Sequence, residues 1–386
     1  MKKLLVICQG FPPFYGGAEH VAYYLAREAA ASGDVEVCVL TSDLGSRLPA
    51  EEIMDGMRIV RVSTRKKEWT RHTVGELISF LRSARRRVPS LVDEFAPDHV
   101  LAHFSLPAGA IAGAVSNACG APYSVVLHGS DVPGYQPKRF GLFYPCMRPM
   151  VRRIWKGAHR VISVADGLRE LALTTWPKGD IAVIPNGVDT EYFRPAGDVS
   201  PKGDNAPMRA VVTAQLIERK GIQYLVEAIA SMDEAYRQRL HVDVCGVGPY
   251  GASLRQQVSA TGMEGCVTFR GLLEHEKMAE LLRGADLFIL PSLQEGTPVA
   301  VLEAMACGLP VIATKVGGLP ALAADRRAVL LVEPGSSSQL QAALKQVMDD
   351  SGLRVELGHE ARRVALEHGW HTVWQEYLRV LERNNA

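Results

Sequence analysis

No run of about 18 apolar residues occurs in the chain, so no segment has the composition of a membrane-spanning helix. The opening Met1-Lys2-Lys3-Leu4-Leu5-Val6-Ile7-Cys8 imitates a signal peptide, but its apolar run is short and Gln9-Gly10-Phe11-Pro12-Pro13 interrupts it. It reads as a first strand. Cysteine is sparse and unpatterned: Cys8, Cys38, Cys119, Cys146, Cys245, Cys266 and Cys307 are odd in number, with no Cys-x-x-Cys and no paired histidine spacing. That excludes a disulfide framework or a zinc site and fits the reduced core of a cytoplasmic protein. Asp-x-Asp is also missing, so no metal and no cofactor are expected, and a ligand's negative charge would have to be met by Arg, Lys and helix ends. There is no low-complexity segment or short-period repeat, and no nucleic acid partner is expected.

The chain has 386 residues, 47% of them hydrophobic, with a mean hydropathy near zero, which suits two sizeable cores. Net charge is only +1, yet residues 1–190 hold 23 Lys and Arg against 18 Asp and Glu, and the remainder 20 against 24. Much of the positive excess lies between Arg58 and Arg87, where Arg65-Lys66-Lys67 and Arg85-Arg86-Arg87 flank Leu77, Ile78, Phe80 and Leu81. This basic amphipathic stretch fits either peripheral contact with an anionic membrane or a solvated helix face.

Strand-like runs at 4–8, 35–40, 59–62, 99–102, 123–127, 161–164 and 181–184 alternate with helical stretches, and a second series follows at 210–214, 242–245, 267–270, 287–290, 311–314 and 329–332. This is the alternation of mainly parallel sheets covered by helices on both faces. Between Tyr192 and Met208 the pattern stops in a polar, Pro- and Gly-rich segment. The expected organisation is an α/β chain of two doubly wound Rossmann-like domains facing a central cleft. These are a first domain over 1–191, a linker over 192–208 and a second domain over 209–369.

The most informative segment runs Pro291-Ser292-Leu293-Gln294-Glu295-Gly296-Thr297-Pro298, continuing through Glu303 to Gly308. Leu287 to Leu290 suit a buried parallel strand, and Thr297 followed by Pro298 suits an N-cap and first helical residue. The helix expected from Pro298 to about Cys307 is apolar on nearly every face, with Glu303 as its one charge. Glu295 falls in the loop at the carboxyl end of a strand, where open α/β sheets place ligands, and the free N–H groups of Val299 and Ala300 would face an anion. Two hydroxyl acceptors and an anion site suit a ligand with sugar hydroxyls and a phosphate.

This segment, through Gly318, closely resembles the donor-binding signature of family 4 glycosyltransferases, retaining enzymes of the GT-B fold. The resemblance extends to Pro12-Pro13-Phe14-Tyr15-Gly16-Gly17-Ala18-Glu19, Leu127-His128-Gly129-Ser130-Asp131, Ile184-Pro185-Asn186-Gly187-Val188-Asp189 and Arg219-Lys220-Gly221, in family order over almost the whole chain. It implies a hexosyltransferase acting between a nucleotide diphosphate sugar and a sugar, lipid-linked or small-molecule acceptor, with the acceptor-binding domain over 1–191, the nucleotide-sugar-binding domain over 209–369, and residues 370–386 forming a helix that returns to the first domain. Glu295, with Gly296 and Thr297, would bind the donor sugar, Glu303 the ribose, and Arg219 and Lys220 the diphosphate.

The same resemblance brings the loop Gly16-Gly17 to the diphosphate from across the cleft, makes His128 a functional imidazole, and sets the nucleobase near Arg270, Gly271 and Leu272. His103, at another strand end, is left out of the catalytic set. Gln215 stands where the family pattern has Arg, and Ala321 where many members carry Glu. Gly246-Val247-Gly248-Pro249-Tyr250-Gly251 keeps an NAD-dependent dehydrogenase in view, and a sugar-nucleotide epimerase or hydrolase is the rival within the fold.

Overall fold

The computed structural model describes residues 1–13, 16–45, 48–64, 73–137, 141–197, 203, 206–323 and 328–383. Phe14, Tyr15, the run Arg65-Lys66-Lys67 and most of 198–205 therefore lie outside the described residues. The chain forms two compact units, one of Met1–Asn186 with Trp370–Ala386, the other of Gly187–Gly369.

The first unit is built on eight strands: β1 (Lys3–Ile7), β2 (Glu36–Ser42), β3 (Glu51–Met54), β4 (Met57–Val62), β5 (His99–His103), β6 (Tyr123–Leu127), β7 (Arg160–Ser163) and β8 (Ile181–Val183). Their order is β3-β4-β2-β1-β5-β6-β7-β8, parallel throughout except where β3 runs antiparallel to β4. Leu4 to Ile7 and Val125 to Leu127 are buried without alternation, as strands covered on both faces must be. The sequence reading omitted β3. Its hairpin turns on Asp55 and Gly56, both in left-handed backbone (φ 48° and 77°), the conformation an Asp-Gly turn supplies.

The helix Trp370–Glu382 belongs to this unit. Trp370 stacks on Tyr24 at 5.3 Å, Trp374 and Tyr377 are buried, and Arg160 Nε donates to the Val380 carbonyl at 3.1 Å.

Arg58, Arg61 and Arg87 of the 58–87 stretch are paired with acids, while the exposed Arg82, Arg85 and Arg86 have no acid partner among the described residues. Arg58 reaches Glu51 at 3.0 Å and Glu94 at 2.6 Å, and Arg87 reaches the same two carboxylates at 3.1 and 2.7 Å. The hydrogen bonds from Arg87 and then Arg58 hold the Glu94 carboxyl down at about 2. A different surface is cationic without such pairing. The helix Tyr144–Gly157 carries Arg148, Arg152, Arg153 and Lys156, all exposed, and no acid; Leu142, Phe143 and Met150 lie beside them at 90%, 51% and 53% exposure.

The second unit has six strands, β9 (Met208–Thr213), β10 (Leu240–Cys245), β11 (Val267–Gly271), β12 (Leu287–Leu290), β13 (Val311–Thr314) and β14 (Leu330–Val332), in the order β11-β10-β9-β12-β13-β14, all parallel. Alternate residues of β9 feed opposite faces. Ala210 and Val212 pack with Leu225, Ile229 and Leu344, while Val211 packs with Phe288, Leu302 and Met305. Both sheets reverse their strand order beside the first strand of the unit, and that reversal opens a crevice at the carboxyl ends.

Candidate functional site

In the second unit the reversal lies between β9 and β12, and the loops leaving those two strands carry Lys220 and Glu295. Lys220 Nζ meets Glu295 Oε1 at 2.5 Å, and Ser292 Oγ donates to the same oxygen at 2.5 Å. One carboxylate oxygen is thus fixed by two donors, and Oε2 carries no partner among the described residues. Two glycines allow the backbones to approach this closely. A Cβ on Gly221 (φ 69°) would sit 1.9 Å from the Pro291 carbonyl, and one on Gly317 (φ 59°) 2.3 Å from the Gly296 carbonyl. Arg219 turns its guanidinium to the Gln294 carbonyl at 3.3 Å, and its own carbonyl accepts from Leu293 N–H at 2.7 Å. Arg219 thereby ties the two loops together next to Glu295.

The helix after Glu295 starts one residue later than the sequence suggests, at Val299, with Pro298 as N-cap and no side-chain cap. Thr297 was the expected cap. Its hydroxyl lies instead toward the Gly317-Gly318 turn, where a Cβ on Gly318 would come within 2.6 Å of Oγ1. Gly296 accepts from Gly318 N–H at 2.8 Å, which pins the same turn. Glu303 is half-buried on this apolar helix, and its carboxyl has no hydrogen bond or ion pair among the described residues. Burial pushes it up to about 7. Of the two carboxylates, the loop residue is neutralised by a lysine and the helix residue is not.

Leu272 follows β11 and is 71% exposed. Its neighbour Arg270 is engaged elsewhere, with Nε 2.6 Å from Asp243 Oδ1, while Arg209 Nε holds Oδ2 at the same distance. Burial raises the Asp243 carboxyl, and the two guanidiniums outweigh it, leaving it below the usual range. The glycines of the 246–251 motif serve packing. A Cβ on Gly246 would lie 1.9 Å from the Ala214 carbonyl and one on Gly248 2.3 Å from that of Leu216, so the turn needs them to cross the loop after β9.

In the first unit the loop after β1 opens the helix Gly17–Ala31. Gly16 is its N-cap, and a Cβ there would meet Glu19 Oε2 at 2.2 Å, so the glycine makes room for a buried carboxylate in the helix's first turn. Gly17 has open space around it. His128 follows β6. Its backbone N–H and that of Gly129 both donate to Asp131 Oδ1 at 3.1 Å, and Asp131 Oδ2 accepts from the Ser105 amide at 2.8 Å and its hydroxyl at 2.9 Å. Gly129 (φ 116°) is obligatory, because a Cβ would fall 2.7 Å from the Tyr135 ring.

His103, set aside on sequence grounds, is brought against His128: Nδ1 of the first lies 3.0 Å from Nε2 of the second, with the rings stacked at 5.2 Å. Burial pushes His128 down to about 4 against the opposing fields of Asp131 and Glu19, and burial with the charge of His128 pushes His103 well below its ordinary value. The missed residues Asp131 and Ser292 left one legible signal, a polar side chain three positions from a site residue within a loop.

Two Rossmann-like units, each with loops gathered at a strand-order reversal, define the GT-B class of fold. Residues 15–192 match the family model for Glycosyltransferase Family 4 and residues 201–364 that for Glycosyl transferases group 1. The chain is 31% identical over 297 residues to TuaC of Bacillus subtilis, a glycosyltransferase assigned by name to teichuronic acid biosynthesis, covering 72% of this chain and 71% of that one. Its fold matches sucrose-phosphate synthase from Thermosynechococcus elongatus with a TM-score of 0.82, at 22% identity and 98% coverage of both chains. It also matches Anabaena HepE in complex with UDP and glucose, with a TM-score of 0.76 at 19% identity and full coverage of both. The chain belongs to the GT-B glycosyltransferases, enzymes that carry a sugar from a nucleotide diphosphate donor to an acceptor. Among the described residues no helix is long and apolar enough to cross a membrane.

Proposed function

We propose that the chain is a retaining, family 4 type hexosyltransferase working without a metal in the synthesis of a surface polysaccharide, glycolipid or glycoconjugate. The observation that carries this reading is the pair of carboxylates in different electrostatic states, Glu295 held by Lys220 and Ser292, and Glu303 unpartnered eight residues on. Glu295, anchored through Oε1, offers Oε2 to donor-sugar hydroxyls in a fixed direction, which counts most as the glycosidic bond opens. Lys220 has two N–H groups left after its bond to Glu295, and these, with the N–H groups of Val299 and Ala300, answer the charge that develops on the leaving diphosphate. Arg219 holds the two loops in register and adds charge, taking the place left by Gln215. Glu303 receives the ribose hydroxyls and Leu272 borders the base.

In the first unit His128 serves the reacting sugar or its acceptor, and the Gly16-Gly17 backbone offers N–H groups to phosphate. Retention rests on the family 4 resemblance. A polysaccharide product is supported by the name of TuaC, which places that relative in teichuronic acid biosynthesis, and a hexose donor by the HepE complex with UDP and glucose. Peripheral contact with an anionic membrane, on the cytoplasmic side, is best supported by the acid-free helix Tyr144–Gly157 with exposed Leu142 and Phe143. Thermal stabilisation by a panel of uridine, guanosine and adenosine diphosphate sugars tests donor binding, because a ligand of the folded state raises stability by mass action. Proton NMR of the anomeric centre in the product then reads retention. Stabilisation by NAD and by none of the sugar nucleotides would overturn the reading, and donor turnover without acceptor would favour an epimerase or hydrolase.

A further inference from the structure

The pairing of His103 with His128 fixes more than a ring position. The single hydrogen bond between them can be made in two ways, and each way dictates whether Nδ1 of His128, the nitrogen left to meet a ligand, carries a proton. If His128 Nε2–H were the donor, His103 would carry its proton on Nε2. That nitrogen is fully buried and has no partner among the described residues. A buried N–H with no acceptor is the rarer and costlier arrangement, whereas an acceptor nitrogen left without a donor is more readily tolerated. The opposite arrangement puts the proton on His103 Nδ1, which donates to Nε2 of His128, and leaves His128 with its proton on Nδ1.

Phe104 locks the geometry. It follows His103 in left-handed backbone (φ 79°), a conformation costly for a bulky residue, and its ring lies 4.9 Å from that of His128, tilted by 52°.

We propose that His103 is a positioning residue that selects the neutral Nδ1–H form of His128, so that His128 presents a hydrogen-bond donor, and not a base, to the ligand. This rests on the role proposed above for His128 in sugar transfer. The consequence for the chemistry is definite: a donating Nδ1–H can bind a sugar oxygen or stabilise charge on oxygen but cannot accept a proton from an acceptor hydroxyl.

Long-range proton–nitrogen NMR on protein labelled with nitrogen-15 histidine, with His128 assigned by its loss in His128→Gln, reads the tautomer directly in the free protein. The expected result at neutral pH is a His128 ring protonated on Nδ1. It should shift toward Nε2–H in His103→Leu and return in His103→Asn, whose amide can donate to the same nitrogen. Single-turnover transfer from the sugar nucleotide that stabilises the protein most should slow about tenfold in His103→Leu, the worth of one hydrogen bond, with donor affinity nearly unchanged, and recover in His103→Asn. An Nε2-protonated His128 in the parent protein would overturn the proposal, a result that needs no variant to fold. So would a tautomer indifferent to His103→Leu, or a folded His103→Asn as slow as His103→Leu. Failure of the function proposed above would look different, as a parent protein that transfers no sugar at all.

Discussion

The two units share a parallel core whose order reverses beside its first strand, and they carry different residue types at the strand ends. In the first, the strands after the order reversal end in imidazoles, His103 on β5 and His128 just after β6, which burial keeps neutral. In the second, the loop after the corresponding strand β12 carries Glu295, and the helix that follows carries Glu303. The first unit thus offers groups without net charge that can donate or accept, suited to hydroxyls. The second offers a cation and two carboxylates, suited to a ligand that is itself part anion and part polyol. The scaffold sets where side chains gather, and the residue types at the strand ends set what they can bind.

The largest expected effect breaks the charged side of this comparison. Lys220→Ala leaves Glu295, 7% exposed, without its cation, and should cost the second unit up to about 3 kcal/mol while abolishing most turnover. Denaturant unfolding measures the loss, and adding Glu295→Gln to the same chain should restore much of the stability without restoring activity. Next come the carboxylates. Glu303→Gln should weaken donor binding by about 1.5–3 kcal/mol above neutral pH with less effect on the chemical step. The loss should shrink as pH falls, since Glu303 titrates near 7 and its charge-assisted bonds need the ionised form. Glu295→Gln should depress turnover more than affinity, and calorimetry with single-turnover rates separates the two. If both variants behave as the parent does, the second unit's site has been misassigned.

A subtler difference concerns acid. His99 and His128 are pushed down to about 4 by burial, so their contribution is present above the ordinary value of 6.5 and is lost as pH falls toward 4. Glu303 is raised, so its contribution is complete below 4.5 and is lost as pH rises through about 7. Acidification from pH 7 to 5 should therefore loosen amides of the first unit while firming those around Glu303, a pattern that hydrogen exchange corrected for intrinsic rates can resolve. Equal responses in the two units would remove the contrast. Smallest is the surface effect. Arg152→Glu with Arg153→Glu should lower cosedimentation with anionic vesicles by about 1 kcal/mol per residue, an effect that vanishes at high salt, while reversing Arg58 and Arg87 should do less because Glu51 and Glu94 already balance them.

Much of this was legible in the sequence. The runs 123–127, 287–290 and 311–314 give their strands to the residue, because a strand buried on both faces is apolar from end to end. What stayed hidden was adjacency. Lys220 and Glu295 are 75 residues apart, and only the order β9-β12 sets their loops side by side. His103 looked like any isolated histidine until β5 paired with β6, bringing it level with Val126 and so next to His128. The Thr297 cap failed for a related reason, since the Gly317-Gly318 turn arrives from a different strand and occupies its surroundings.

The return of Trp370–Glu382 to the first unit also has a consequence for how the protein is made. Trp374, Tyr377 and Leu381 fill a surface of that unit at 5% exposure or less, yet residues 187–369 must be synthesised before they emerge. At about 5–20 residues per second the ribosome spends roughly 10–40 s on that insertion. Throughout that interval the nascent first unit lacks its last helix and displays the apolar bed of two tryptophans and a tyrosine. Its completion is timed by the translation of its neighbour, so slowing or stalling within 187–369 lengthens exposure of the first unit, not only of the second.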